Sequence, residues 1–432
     1  MPELPARMRG RVLYHLHSLG AAGVPAANPD PEAAQPSGHG LRRLEGWLDH
    51  VRALGCGGVL LTPIFVSSTH GYDTVDPFRI DQRLGDEGDF TAFAAACHDR
   101  DLLLILDGVF HHVGRAFPAF RDVLARGAAS PFAPWFRLDF AAGGPDGFAY
   151  ADFEGHPELP ALNHAHPAVL EWAGAVCRHW LDRGADGWRI DVAYLIPATF
   201  LASLSQSVCS VHPQAFLFGE MLSGDYVRFV AASRLHGITQ YELYKAIWSS
   251  LNDANLFELA WALRRHREFS AAFSPVTFVG NHDVTRLATA LRHRAHLGAA
   301  LAVLLTVPGV PCVYYGDELG WKGRKEVRAG GDDAVRPPLP PAPEPVDARQ
   351  AEALRLHREL IALRRDRPWL TGADLQVGDV SNSRIAYTVS SREGGERLLV
   401  TLDLAGATAG ASAPAGWHPI AGGTGWVVCA PA

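Results

Sequence analysis

The chain has 432 residues, 48% of them hydrophobic and 20% charged, enough apolar material for a large core and too little charge for a disordered chain. Its 39 Lys and Arg against 46 Asp and Glu leave a net charge of −7 spread along the sequence, with no basic stripe for nucleic acid and no acidic tail. No apolar run approaches the roughly 20 residues of a membrane span, and the start, MPELPARMRGRVLYHLHSLG, lacks the apolar stretch and cleavage site of a secretory leader.

The expected elements follow in chain order. VLYHLH (12–17) is a strand, and a Pro/Gly-rich loop leads to a helix over 41–55. GGVLLTP (57–63) is the second strand, with a helix at 90–100, and LLLILDGV (102–109) is the third. A helix over 166–184 precedes DGWRIDVA (186–193), and a helix over 197–208 precedes AFLFGE (215–220). GITQY (237–241) is a short sixth strand, followed by one long helix over 242–266. PVTFVGNHD (275–283) is the seventh strand, the segment 293–306 a helix, VPCVYYGDE (310–318) the eighth strand, and 347–366 the closing helix.

Near-continuous apolar strands alternating with helices are the pattern of a buried parallel sheet. Eight such units in order predict a (β/α)8 TIM barrel. A doubly wound open sheet is the alternative, and no Gly-rich phosphate turn follows the first strand. Residues 110–165 are too long for a simple connection and predict an inserted subdomain over the barrel mouth. They divide the barrel into 1–109 and 166–366. Residues 367–432 carry short strands and turn signals and predict a C-terminal antiparallel β domain. The run RPPLPPAPEP (336–345) reads as a linker ahead of the last barrel helix.

The six cysteines form no CxxC pair and sit in apolar context, as buried reduced thiols of a cytoplasmic protein would. Only Lys245, Lys322 and Lys325 are lysine, which leaves 39 − 3 = 36 arginines, so an arginine alone is weak evidence of function.

In a barrel the active site lies at the C-terminal ends of the strands. Those ends carry Asp107, Arg189, Asp191, Glu220, His282 and Asp283. A single acid there is usually a satisfied loop carboxylate. Three converging ones, Asp191, Glu220 and Asp283, push their pKa values apart and so separate an acid from a nucleophile. Metal-dependent hydrolysis is the rival use, but His111 and His112 are adjacent and project differently, so no metal is expected.

DGVFHH (107–112), GWRIDVA (187–193), FGEM (218–221) and FVGNHD (278–283) resemble the four signature regions of the alpha-amylase family of retaining glycoside hydrolases. LPALNH (159–164) is similar to its fifth region as seen in neopullulanases and cyclomaltodextrinases, and GYDTVDPFRID (71–81) and VPCVYYGDELG (310–320) match two further segments. The resemblance implies Asp191 as nucleophile, Glu220 as general acid and base, and Asp283 as the third catalytic acid, gripping the sugar hydroxyls. It implies substrate binding by Tyr72, His112, Arg189, His282 and Arg286, with Asp107 as structural support orienting Arg189 and His112. Arg189 would also hold Asp191 ionised.

Departures are present too. His111 stands where many members have Asn, and the Lys-His pair of calcium-dependent amylases is missing after the nucleophile. No cofactor is therefore expected, and the family's calcium site is expected to be empty. The implied activity is retaining hydrolysis of α-glucosidic bonds, α-1,4 first, in small malto-oligosaccharides. Alternatives are transglycosylation, action on trehalose, sucrose or isomaltose, and a non-catalytic sugar-binding member, against which the three acids speak. A small α-glucan is the expected partner, with no nucleic acid and no membrane.

Overall fold

The computed structural model describes all residues except 1, 29, 32–35, 37, 329 and 406–413. Residue 406, which ends the strand-rich run expected in the C-terminal domain, therefore lies outside the described residues.

Eight parallel strands form the central sheet: β1 (Leu13–Leu16), β2 (Gly58–Leu61), β3 (Leu103–Gly108), β4 (Gly187–Ile190), β5 (Phe216–Gly219), β6 (Gly237–Ile238), β7 (Val276–Phe278) and β8 (Val310–Tyr314). β8 returns to pair with β1, Leu13 opposite Cys312. β6 and β7 close the ring through a single parallel bridge, Thr239 to Val276, with the Gln240 amide donating to Val276 O at 2.9 Å. The chain thus adopts the expected (β/α)8 barrel.

Side chains alternate across a strand, and that period places the site. Leu13, Leu60, Leu103, Ile105, Phe216, Phe218, Val276, Phe278, Val310 and Cys312 pack together as one buried cluster inside the barrel. Stepping two residues on from Ile105 reaches Asp107, and two on from Phe218 reaches Glu220; on β4 the same step links Gly187, Arg189 and Asp191. Each inward row is apolar or small at the bottom and charged at the C-terminal end. The outward residues, among them Tyr14, Val59, Leu104, Leu106, Trp188 and Ile190, join the second core between strands and helices.

Residues 110–165 hold a helix, Pro118–Arg126, and short antiparallel pairs, Leu138–Asp139 with Ala149–Tyr150 and Asp152–Phe153 with His156–Pro160. The C-terminal sheet runs β9 (Asp374–Val380), β10 (Arg384–Ser390), β11 (Arg397–Asp403), β13 (Trp426–Pro431), β12 (Trp417–Gly423), all antiparallel. It docks on the barrel through buried Trp426, whose indole lies where a Cβ on Gly298 would be, 2.2 Å from Nε1. Thr306 Oγ1 and Tyr387 Oη share a hydrogen bond of 2.7 Å across the same contact.

Several helices differ from expectation, three of them in the barrel's main connections. The 41–55 helix is interrupted, Gly40–Glu45 and then Leu48–Leu54, at Gly46 and Trp47. The helix expected over 242–266 is two, Tyr241–Asp253 and Leu256–Ala272, parted where Ala254 turns left-handed (φ +47°) after the weak helix formers Asn252 and Asp253. A helix at Tyr226–Ser233, capped by the Asp225 carboxylate, joins β5 to β6 and was not expected.

Candidate active site

Arg189 is the centre of the charged layer. Its guanidinium, 3% exposed with the rest of the residue, donates from Nη1 to Asp107 Oδ2 (2.5 Å) and Asp191 Oδ1 (3.1 Å). Its Nη2 reaches Glu220 Oε1 at 2.8 Å. One cation therefore ties the ends of β3, β4 and β5 together. Glu220 has two further donors: the Val192 amide at 3.2 Å on Oε2 and the Tyr241 hydroxyl at 3.1 Å on Oε1. Val192 sits in the left-handed region (φ +39°), where a β-branched residue is strained. The turn it makes after Asp191 is what aims its N–H at Glu220, and strain of this kind gathers at functional sites. Asn281 Nδ2 donates to Tyr241 Oη at 2.8 Å and fixes that hydroxyl.

Asp283 occupies a second cationic corner. Its Oδ1 accepts from Arg336 Nη2 at 2.8 Å, Lys325 Nζ lies 4.0 Å from the same oxygen, and His282 Nε2 lies 3.0 Å from Oδ2. Arg336 Nε also donates to His282 O at 3.0 Å.

Above these groups opens a cavity of about 550 Å³. Tyr72, His112, Asp191, Glu220, Tyr241 and Asp283 line it, Phe153 and His156 roof it from the 110–165 segment, and Lys325, Asp332 and Arg336 form a wall. Its electrostatics follow from burial among like charges. Burial raises the Asp191 carboxyl well above the usual range; Arg189 pulls it down, and Glu220 and Asp107 push it up again. Burial likewise raises Asp107 to about 6, against the pull of Arg189. Asp283 is raised by burial while Arg336 opposes. Burial lowers His112 to about 3, so at neutral pH it is an uncharged imidazole that offers one donor and one acceptor.

The structure brings most expected site residues together. Asp191, Glu220, Asp283, Tyr72 and His112 reach the cavity. Arg189 and His282 lie one layer below it. Arg189 serves the carboxylates, and His282 stacks under Tyr72 with ring centroids 5.5 Å apart and its Nε2 2.5 Å from Tyr72 Oη. Asp107 supports Arg189 as expected, but its other contact is the Tyr72 hydroxyl at 3.1 Å, in place of the expected His112.

Arg286 must be corrected. It is fully buried and is not among the residues that line the cavity. Its guanidinium donates to Tyr315 O (2.8 Å), Asp317 Oδ1 (2.9 Å) and Val335 O (2.9 Å) and lies over the rings of Tyr314, Tyr315 and Trp321. These three bonds from its terminal nitrogens, all to the segment after β8, clamp that segment to the barrel, while its buried Nε has no partner among the described residues. Arg336, in the run read as a linker, is the arginine at the cavity. Tyr241 was also missed, although it stands at the C-terminal end of the sixth expected strand, where the strand-end rule would have found it.

The expectation of an empty calcium site rests on the position of His111. A hard cation wants oxygen ligands, yet His111 presents a ring, stacked on His164 at 5.9 Å, whose Nδ1 lies 3.2 Å from His112 Nδ1. Among the described residues no group of three or more His, Cys, Asp or Glu side chains could hold an ion.

A closed eight-stranded barrel with three carboxylates around one buried arginine, under a roof inserted after β3, is the architecture of a carbohydrate-active hydrolase. Residues 38–339 match the alpha-amylase catalytic domain, and the chain belongs to the alpha-amylase family. It is 31% identical to a cyclomaltodextrinase of Geobacillus thermopakistaniensis, over 88% of this chain and 64% of the relative. It is 30% identical to neopullulanase 2 of Thermoactinomyces vulgaris, over 88% of this chain and 65% of that one. These curated relatives bear out the resemblance to the neopullulanase and cyclomaltodextrinase side of the family, and the chain spans less than two thirds of their length. A solved structure of similar length is the cyclic α-maltosyl-(1→6)-maltose hydrolase of Arthrobacter globiformis, with a TM-score of 0.82, 28% identity and coverage of 99% of this chain and 100% of that one.

Proposed function

We propose that this chain is a retaining glycosidase that cleaves α-glucosidic bonds, α-1,4 first, in short malto-oligosaccharides, small cyclic ones included. The observation that carries the reading is the single guanidinium of Arg189 reaching both Asp191 and Glu220. Two carboxyls on one cation favour the short spacing of retaining enzymes, about 5–5.5 Å, over the wider one that admits a water in inverting enzymes.

In this reading Asp191 attacks the anomeric carbon while Glu220 gives its proton to the departing oxygen. The bond to the leaving sugar breaks and an ester to Asp191 forms. Glu220, now ionised, takes a proton from water; the water oxygen replaces Asp191, which leaves as carboxylate. Arg189 stabilises the carboxylate form of Asp191 at both ends of the cycle. Asp283, kept anionic by Arg336 and Lys325, grips the hydroxyls of the reacting sugar. Tyr72 offers its ring as the platform, and His112 hydrogen-bonds from the side. Substrate is expected to be short because the cavity is roofed by Phe153 and His156 and walled by Asp332 and Arg336. One relative that matches end to end is named for hydrolysing cyclic α-maltosyl-(1→6)-maltose, which agrees with a small substrate.

Among the described residues no helix is long and apolar enough to cross a membrane. A cytoplasmic location is supported by the six cysteines, all free thiols and five of them buried. We propose also that catalysis needs no cation.

The test is a chromatographic product profile with kcat/KM per susceptible bond over maltotriose, a cyclodextrin, cyclic α-maltosyl-(1→6)-maltose, trehalose, sucrose, isomaltose and soluble starch. Short malto-oligosaccharides or cyclic glucans should lead, with free sugars as products. Starch leading would move the enzyme to endo-acting amylases. Products longer than the substrate would make it a transglycosylase, and silence on every α-glucan would refute the reading.

A further inference from the structure

Glu220 stands where the chain leaves the barrel. β5 ends at Gly219, Met221 is still buried, and residues 222–225 are all exposed. A general acid must hold its carboxyl steady, because a displacement of about 1 Å can cost on the order of 100-fold in rate. A side chain rooted this close to an exposed turn keeps its place only if its main chain is fixed. We infer that Thr239 is the positioning residue that fixes it: its N–H and its one hydroxyl hold the main chain on both sides of Glu220, so that the carboxyl meets the oxygen of the leaving sugar. The inference rests on the glycosidase reading, in which Glu220 is the acid.

Thr239 is buried and follows β6, the strand beside β5. Its amide donates to Gly219 O at 3.0 Å, just before Glu220. Its Oγ1 accepts from Met221 N at 2.9 Å and donates to Met221 O at 3.1 Å, just after Glu220. A hydroxyl has one proton and two lone pairs, so both bonds stand at once. Among the described residues neither Met221 group has another hydrogen bond. The Glu220 amide itself donates to Ile190 O at 2.8 Å. Three successive residues are thus pinned, two of them by Thr239. Thr239 is fixed in turn by its parallel bridge to Val276. Two residues on, the Tyr241 hydroxyl reaches Glu220 Oε1. One short segment, 239–241, therefore holds the acid by its main chain and by its side chain.

The clamp serves the acid and not the nucleophile. Asp191 is anchored by its own amide, which donates to Gly108 O on β3 at 3.0 Å, and by Arg189. Neither anchor passes through Thr239. The hydroxyl is the working part: valine has the same branching, but it would leave the Met221 N–H and C=O unpaired in a buried place. A main chain relieves that cost by shifting toward another partner or toward water. Glu220 would shift with it while Asp191 stays. The damage should therefore grow with the leaving group's need for a proton, large for a sugar oxygen and small for fluoride.

The experiment uses the full chain and measures kcat/KM for maltotriose and for α-maltosyl fluoride on the same preparation of each variant. The ratio of the two does not depend on the fraction of enzyme that is folded. In Thr239→Val the maltotriose-to-fluoride ratio should fall about tenfold, with the fluoride value within about twofold of the parent's. Thr239→Ser, which keeps the hydroxyl, should bring the ratio back to within about twofold of the parent's. Thr239→Ala also lacks the hydroxyl and puts no methyl against Met221; it should behave as Thr239→Val and replaces it if the valine variant does not fold. An unchanged ratio in the hydroxyl-free variants overturns the inference. So does an equal fall on both substrates, or a ratio that serine does not restore, since either makes Thr239 a packing residue. Failure of both hydroxyl-free variants to fold would make the hydroxyl a structural element only and overturn it too. A parent that turns over neither substrate refutes the glycosidase reading, and the inference falls with it; a parent active on both, with the ratio unmoved in the variants, refutes the inference alone.

Discussion

Arg286 sits three residues after the signature segment FVGNHD and yet both of its terminal nitrogens bond to the protein. Arg286→Met keeps much of the side-chain volume and removes the charge and all the donors. Two main-chain carbonyls and the Asp317 carboxylate then lose a partner in a buried place. Removing one member of a buried ion pair costs about 3–5 kcal/mol, and the orphaned Tyr315 carbonyl adds about 1–3 kcal/mol, whereas Val335 O keeps the Tyr314 hydroxyl at 2.9 Å. The sum approaches the ~5–15 kcal/mol that holds a typical domain together, so water entering the gap decides whether the variant folds at all. The pH dependence is a sharper signature. Burial raises Asp317 to about 7, and Arg286 is the first of the groups that pull it back. A carboxyl raised in the folded state binds its proton more tightly there than when unfolded, so stability is fully present below the unfolded pKa, near 4, and falls as pH rises through the folded value. In the parent that loss ends near pH 7. Without Arg286 the folded value climbs further, so the variant goes on losing stability above pH 7, by up to about 1.4 kcal/mol per pH unit. Urea unfolding of parent and variant at pH 6 and pH 8.5 should show the gap widening at the higher pH. The KM of folded variant should stay near the parent's. Parent-like stability with KM raised tenfold would put Arg286 in the substrate site and refute the clamp.

Tyr241→Phe removes one of three donors on Glu220 and leaves Asn281 without its acceptor; kcat should fall about tenfold, since the acid loses a bond that orients it. An unchanged kcat would make Tyr241 mere packing. Arg336→Ala removes the main cation on Asp283, whose carboxyl burial already raises; the acidic limb of kcat/KM should shift to higher pH and KM should rise, and an unmoved limb would argue that Asp283 is not gripped through Arg336. Incubation with EDTA should leave activity and melting temperature unchanged; a fall in either, restored by calcium, would contradict the reading of His111 and His164.

The barrel was legible because each strand is a short apolar run and because one period, two, carries Ile105 to Asp107 and Phe218 to Glu220. Strand ends gave the three acids for the same reason. Three things were not legible. The Tyr226–Ser233 helix spans only two turns, too short for its apolar spacing to stand out. The position of Arg336 depends on where an irregular Pro-rich segment runs after β8, which no periodicity encodes. Arg286 was misassigned because among 36 arginines residue type says little, and the difference between a cavity wall and a buried clamp lies in carbonyls, Tyr315 O and Val335 O, that have no signature in the side-chain sequence.

The central claim is that Asp191 becomes covalently bound to the sugar while Glu220 moves the proton. It is tested most directly by incubating Glu220→Gln with α-maltosyl fluoride, whose leaving group needs no acid, and mapping the adduct by peptide mass spectrometry. The account predicts a maltosyl ester on the peptide containing Asp191, absent when Asp191→Asn is added. No adduct, or an adduct on Asp283 or Asp107, would contradict it.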